Sequence, residues 1–255
     1  MPEREEQRDP RTASMTPLEQ QQTQLVDPAA HTFWHRVRFD LVAAEVRDIS
    51  AGSVLDIGAG SGMLGDYVRD RLGPGHGAGP VTYRFDESSP ILDDNLGRHF
   101  GDAARFGSDE RVPSTTVAAL LDVIEHIEDD VAALRSWRDR MEPGARLVVT
   151  VPALQWAFSE WDTELGHYRR YSRPRMRSTL EAAGFHVRRC DYLFPEMLPL
   201  VVKRKFLPDS DGDVDMPRLS ERVNRFGYAI SSASARLRRA WPAGTSVVAV
   251  AEATG

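Results

Sequence analysis

Residues 53–72 read SVLDIGAGSGMLGDYVRDRL. A short β run ends in a turn carrying Gly58, Gly60 and Gly62, and a helical pattern begins at Met63. Glycines at such a junction let the backbone turn tightly and pass close to a ligand with no Cβ in the way. Strand, glycine turn and helix in direct succession make the first half of a β-α-β unit. That commits the chain to parallel strands covered by helices.

The alternation continues downstream. Strands are read over 81–85, 116–121, 146–151, 185–190 and 246–251, and helices over 89–100, 129–141 and 174–183. Pro143-Gly144 stops one helix and Gly184 caps another. Over 32–49 Phe33, Val37, Leu41, Val42 and Val46 recur at helical spacing, so an amphipathic helix leads into the core. The expected fold is α/β, a mainly parallel sheet whose ligands bind beyond the carboxyl ends of its strands. Residues 1–28 are polar and expected as a flexible or loosely docked tail, with one elaborated domain over 29–255. An insertion over about 192–245 precedes the last strand and is expected to form a helical cap.

Composition narrows the setting. With 255 residues, 41% hydrophobic and 27% charged, the chain can bury a real core and is not a disordered or fibrous polymer. One cysteine, Cys190, excludes a disulfide framework and a cysteine-ligated zinc site, and reads as a packed thiol. The opening MPEREEQRDPRTAS is acidic and not a secretory signal, and no apolar run reaches the ~20 residues of a spanning helix. A cytoplasmic location is expected. A net charge of -6 disfavours general nucleic-acid binding.

Asp56 decides which ligand suits the glycine turn. A dinucleotide fingerprint places glycines as G-x-G-x-x-G, and here Met63 stands at the last position. A carboxylate at the tip of the first strand repels a pyrophosphate and attracts a ligand bearing an ammonium or sulfonium. VLDIGAGSG resembles the first motif of the class I S-adenosylmethionine-dependent methyltransferases, and the resemblance runs from about His31 to the final strand. It implies a Rossmann-like, seven-stranded, mostly parallel sheet with an antiparallel last strand, and S-adenosylmethionine as cofactor.

The resemblance also implies roles. Asp56, Gly58, Ala59, Gly60 and Gly62 surround the cofactor, and Asp86 takes its ribose hydroxyls, with Glu87 as the alternative. Asp109, or its neighbour Glu110, reaches the adenine; Asp122 lies near the methionine moiety and Arg38 takes the carboxylate. In LLDVIEHIEDD, His126 faces the active-site mouth, where an imidazole is suited to take a proton from an attacking hydroxyl. Asp122, Glu125 and His126 also match the acid-x-x-Glu-His spacing of some metal-using ubiquinone-pathway and small-RNA methyltransferases. Metal-free relatives carry the same letters, and no metal is expected.

After the fifth strand, ALQWAFSEWDTELGHYRRYSRP carries the GH-x-RRY signature of a bacterial subgroup over residues 166–171. His167 is the second catalytic candidate, and Trp156, Trp161, Tyr168 and Tyr171 are candidates for an acceptor wall. The plainer alternative packs those aromatics on the sheet and pairs the arginines with acids such as Glu160. In the insertion Arg222, Arg225, Arg236, Arg238 and Arg239 read as a solvated face, with contact to an anionic or lipid-linked acceptor as the alternative. DSDGDVD lacks the glycine spacing of a calcium loop.

The expected function is S-adenosylmethionine-dependent methylation of a small-molecule acceptor, on oxygen ahead of nitrogen, with natural-product biosynthesis as a setting. No Asn/Asp-Pro-Pro-Tyr/Phe signature of base methylation stands at DVIE. The rivals are an NAD(P)-dependent oxidoreductase on a similar sheet and a noncatalytic module that keeps the nucleoside pocket.

Overall fold

The computed structural model describes residues 15–25, 32–73, 80–206 and 219–254. Its centre is a six-stranded sheet in the order β2-β1-β3-β4-β6-β5. The strands are β1 (Ser53–Ile57), β2 (Thr82–Asp86), β3 (Thr116–Leu121), β4 (Arg146–Pro152), β5 (Phe185–Leu193) and β6 (Ser246–Ala253). β1 to β4 pair in parallel, and β6 runs antiparallel to both neighbours, β4 and β5.

Side chains divide by the two-residue period of a strand. Leu55, Ala118, Leu120, Leu147 and Val149 face one layer, built with Leu134, Met176 and Leu180. Those three come from α5 (Asp130–Arg140) and α7 (Arg173–Ala182). Val54, Val117, Ala119, Val148 and Val250 face the other, packed on Val37, Val42, Val46, Leu64 and Val68. These belong to α2 (Phe33–Asp48) and α3 (Met63–Leu72). Burial on both faces explains why β3 and β4 read as unbroken apolar runs.

From β1 the chain goes to β2 on one side and later to β3 on the other, so the connections diverge at the carboxyl ends of β1 and β3. Such a switch point opens a crevice. Non-glycine residues with positive φ gather at this edge: Asp122 (φ 58) after β3, Leu154 (φ 70) after β4 and Phe194 (φ 57) after β5. Each is a conformation costing on the order of 1 kcal/mol or more that packing must offset, and such strain concentrates at functional sites.

One expectation is corrected. The seventh strand, due between α4 (Pro90–Phe100) and β3, is reduced to one parallel bridge, Phe85 to Arg105, with Phe106 N–H donating to Phe85 O at 2.7 Å. The stretch RFGSDERVP holds a glycine, a proline and four charged side chains, so it offers no continuous apolar face to extend the pairing. The stretch expected as a flexible or loosely docked tail contains α1 (Pro17–Gln24), capped by Thr16, whose hydroxyl accepts from Glu19 N–H while Glu19 bonds back to Thr16 N–H. Residues 1–14, 26–31 and 74–79 lie outside the described residues, as does DSDGDVD.

The insertion forms α8 (Leu198–Phe206) and α9 (Glu221–Arg236). Gly227 lets α9 close on α2, since a Cβ there would stand 2.5 Å from the Phe33 ring. Tyr228 Oη donates to Asp40 at 2.6 Å, and the Arg36 guanidinium lies 4.0 Å over the Tyr228 ring. Of the basic residues there, Arg238 pairs with Asp191 at 3.5 Å. No described helix is long and apolar enough to cross a membrane. Cys190 is half-buried, and burial pushes its thiol up to about 11, matching a packed group.

Candidate active site

The glycine turn has the backbone that its sequence requires. Gly58, Gly60 and Gly62 have φ of 69°, 56° and 78°, the left-handed region where a side chain is strained. A Cβ at Gly58 would stand 2.8 Å from Val123, and one at Gly60 would strike the side chain of Gln22. The loop is braced from β2: Gly58 N–H donates to Asp86 O at 2.8 Å and Gly60 N–H to Glu87 Oε2 at 2.7 Å. Glu87 Oε1 accepts from Ser89 N–H at 2.9 Å, so both Glu87 oxygens serve the backbone. Among the described residues nothing donates to the half-buried Asp86 carboxylate, and burial raises its pKa against the pull of Arg140.

Asp56 lies under this loop, 4% exposed, and accepts from Tyr83 Oη at 3.0 Å. Burial pushes its carboxyl up to about 7, the Tyr83 bond opposes the shift, and Glu87 adds to it. Across the crevice Arg38 reaches from α2 to Asp122 Oδ2 at 2.9 Å and to Ser246 Oγ at 3.2 Å. Its Nε is buried with no hydrogen-bond partner among the described residues.

A cavity of about 100 Å³ brings Arg38, Asp56, Gly58, Ala59 and Asp122 together with Gln22 and Leu25. Asp86 lies outside that lining, and so does Asp109, which is exposed on a turn. Glu110, the other adenine candidate, is committed to Arg84 in a two-pronged pair at 2.5 and 2.8 Å. That pair and the Gly107 N–H hold its carboxyl at about 2. Neither acid is drawn to the crevice, because the strand expected to carry them did not form.

Past Asp122 the chain makes a single 3-10 turn over Ile124–His126, and the GHYRRY loop folds over it. Tyr168 N–H donates to Glu125 O at 2.7 Å, and Arg169 donates to the carbonyls of Ile127 and Glu128 at 2.8 and 2.6 Å. This stitching sets the His126 and His167 rings edge to face, 4.5 Å between centroids. His167 Nδ1 meets Asp162 Oδ1 at 2.8 Å, and Arg170 Nε and Nη2 grip the two oxygens of the same carboxylate at 2.9 and 3.0 Å. Asp162, in the short helix α6 (Glu160–Glu164), is fully buried. Burial works against its charge, yet His167 and Arg170 hold its pKa at about 2. Burial, then His167, depresses His126 to about 4, so it is neutral at physiological pH.

The aromatic wall is corrected in part. Tyr171 is fully buried and donates to Asp130 Oδ2 at 2.7 Å, so it packs the loop and is not available to an acceptor. Trp156 and Tyr168 are half exposed, and Trp161 is partly buried. The arginines do pair with acids, but with Asp130 and Asp162 and not with Glu160.

The profile of the family described as Methyltransferase domain matches residues 32–189. The chain belongs to this methyltransferase family. Among solved structures it is similar to a candidate sarcosine dimethylglycine methyltransferase from Galdieria sulphuraria, with TM-score 0.52, 13% identity and 85% of each chain covered. It is also similar to a chain of the complex between the Haloferax volcanii Trm112 methyltransferase activator and a candidate methyltransferase. That match has TM-score 0.50 and 16% identity over 80% of this chain and 83% of that one. The [4+2]-cyclase SpnF matches with TM-score 0.50 and 16% identity, over 85% of this chain and 79% of that one. At these identities the likeness is one of fold. No curated protein sequence matches the chain. The enzyme is an S-adenosylmethionine-dependent methyltransferase, and S-adenosylmethionine is its cofactor.

Sequence reasoning missed what α1 brings to this methyltransferase. Gln22 Oε1 accepts from Ser61 N–H at 3.1 Å, Glu19 Oε1 accepts from Ser89 Oγ at 2.6 Å, and Leu25 is buried at the crevice. The signal was present as Thr16-x-x-Glu19, a capping-box pattern.

Proposed function

We propose that this methyltransferase methylates a hydroxyl oxygen of a small-molecule acceptor held over His126 and His167. The cofactor, when bound, supplies a methyl group on a sulfonium centre that is already an activated leaving group. Its binding falls to residues that fit it on observations of this fold. The buried Asp56 carboxylate suits the ammonium, the orphaned Arg38 Nε suits the carboxylate, Asp86 suits the ribose diol, and the Cβ-free turn admits close approach. Gln22 is held to the loop by a single bond to Ser61 and gives way at the cost of about one hydrogen bond, on the order of 1 kcal/mol.

The observation that carries the reading is the imidazole pair at the mouth, beside the Asp122 turn. An attacking hydroxyl must shed its proton, and two imidazoles beside the carboxylates of Glu125 and Asp162 are built to handle that proton. An amine needs no such apparatus once neutral. Trp156 and Tyr168, each about half exposed, offer apolar surface for an acceptor, and a net charge of -6 fits a partner other than nucleic acid.

The test is incubation with a metabolite extract and cofactor carrying a deuterated methyl group. The expected product is a labelled methyl ether or ester, and His126→Ala lowers kcat by about 10²-fold with the cofactor Kd nearly unchanged. A product labelled on nitrogen would contradict the reading.

Asp56 also predicts a pH dependence. Its carboxyl stands at about 7 without a ligand, and only the ionised form attracts the cofactor's ammonium. S-adenosylhomocysteine binding therefore tightens by about tenfold per pH unit from 5.5 to 7 and levels off above, until the ligand amine loses its proton near about 8. Calorimetry across that range checks it, and Asp56→Asn removes the slope.

A further inference from the structure

We propose that Glu125, His126 and His167 bind a divalent first-row transition-metal ion at the acceptor mouth. Its chemical role rests on the hydroxyl-acceptor reading above; its existence does not. One potential ligand atom from each of the three residues lies within 4.8 Å of the others. Donors around a four-coordinate ion at ~2.1 Å stand about 3.4 Å apart, so modest side-chain rotations close the set.

Two features separate this cluster from a chance meeting of polar residues. Glu125 is fully buried, and neither of its carboxylate oxygens is hydrogen-bonded to another residue among those described. A buried carboxylate left so is costly unless a cation or proton satisfies it. His167 has its Nδ1 bound to Asp162, which is itself clamped by Arg170, so the ring is fixed with Nε2 left as the donor atom. Carboxylate-bound imidazoles of this kind are a recurring support of metal ligands.

The ligand set differs from the one suggested by the DVIEH spacing. Asp122 is turned to Arg38 and Thr150, at 2.9 and 3.3 Å, and so belongs to the crevice side. His167, 45 residues further on, takes its place because Tyr168 N–H pairs with Glu125 O and brings the loop over the turn. One carboxylate with two imidazoles suits manganese, iron, cobalt or zinc over magnesium or calcium, whose sites are built from oxygens. Three protein ligands leave positions open for an acceptor hydroxyl, whose pKa a bound cation lowers, so with the ion in place the two imidazoles assist proton loss by holding the ion and do not take the proton themselves.

The experiment uses the full, untagged chain stripped with chelator, dialysed, and titrated with cobalt(II) under visible spectroscopy and calorimetry, with magnesium in parallel. One cobalt per chain is expected, with d–d bands of a nitrogen- and oxygen-ligated ion and no comparable magnesium binding. Glu125→Gln weakens it by at least 100-fold, and His167→Asn does the same if the first variant fails to fold by circular dichroism. No stoichiometric cobalt binding at 100 μM protein and metal, or unchanged affinity in a folded variant, would overturn the site. Cobalt binding with a nitrogen-methylated product upholds the site and refutes the acceptor reading; an oxygen-methylated product without cobalt binding does the reverse.

Discussion

Gly60→Val weakens S-adenosylhomocysteine binding by at least 100-fold while the chain stays folded. Two effects add. At φ 56° a β-branched residue sits in a region costing about 1–2 kcal/mol, so the loop relaxes away from the geometry in which its N–H meets Glu87. Where it does not relax, the new side chain fills the space over the loop that Gln22 lightly occupies and a ligand must enter. A loss of that size corresponds to about 2.8 kcal/mol. Calorimetry reads the affinity and circular dichroism reads the fold; an affinity within tenfold of wild type would place the pocket elsewhere.

Asp162→Ala has the largest expected effect on stability. Its carboxylate accepts from His167, from two nitrogens of Arg170 and from Ser159 N–H at 2.9 Å, all inside the fold. Removing it leaves the Arg170 guanidinium, only 16% exposed, without its counter-charge. Breaking such a pair from one side costs about 3–5 kcal/mol, which for a chain of this size lowers Tm by roughly 10 °C. The pH dependence has a definite sign. Asp162 has a pKa of about 2 against an ordinary 3.8. Its stabilisation is therefore present above about pH 4 and lost as pH falls through 2, so wild type and variant converge over that interval. A thermal scan showing a change of under 1 kcal/mol at pH 7 would mean that Arg170 finds water or another partner.

Local chemistry made much of the molecule legible in the sequence. Gly62 and Gly73 bracket α3, so its limits at Met63 and Leu72 followed from two residues, and the buried runs of β3 and β4 announced themselves by composition. Asp56 was readable because its meaning depends only on standing at a strand tip before glycines. What escaped depends on contacts distant in the chain. Tyr171 looks like a binding aromatic until Asp130, 41 residues earlier, is found at its hydroxyl. His126 and His167 carry no mark of each other; the backbone bond from Tyr168 to Glu125 brings them together. The missing seventh strand shows the opposite limit: a fold-level expectation overrode a local sequence, RFGSDERVP, that had no continuous apolar face to honour it.

The buried Asp56 carboxylate favours a cationic nucleoside in the crevice over a diphosphate. Titration of the wild-type chain with S-adenosylhomocysteine and, separately, with NADH at pH 7.5 measures this directly. Saturable one-to-one binding of S-adenosylhomocysteine, with no heat from NADH at equal concentration, is the predicted result; NADH binding with S-adenosylhomocysteine inert would contradict it.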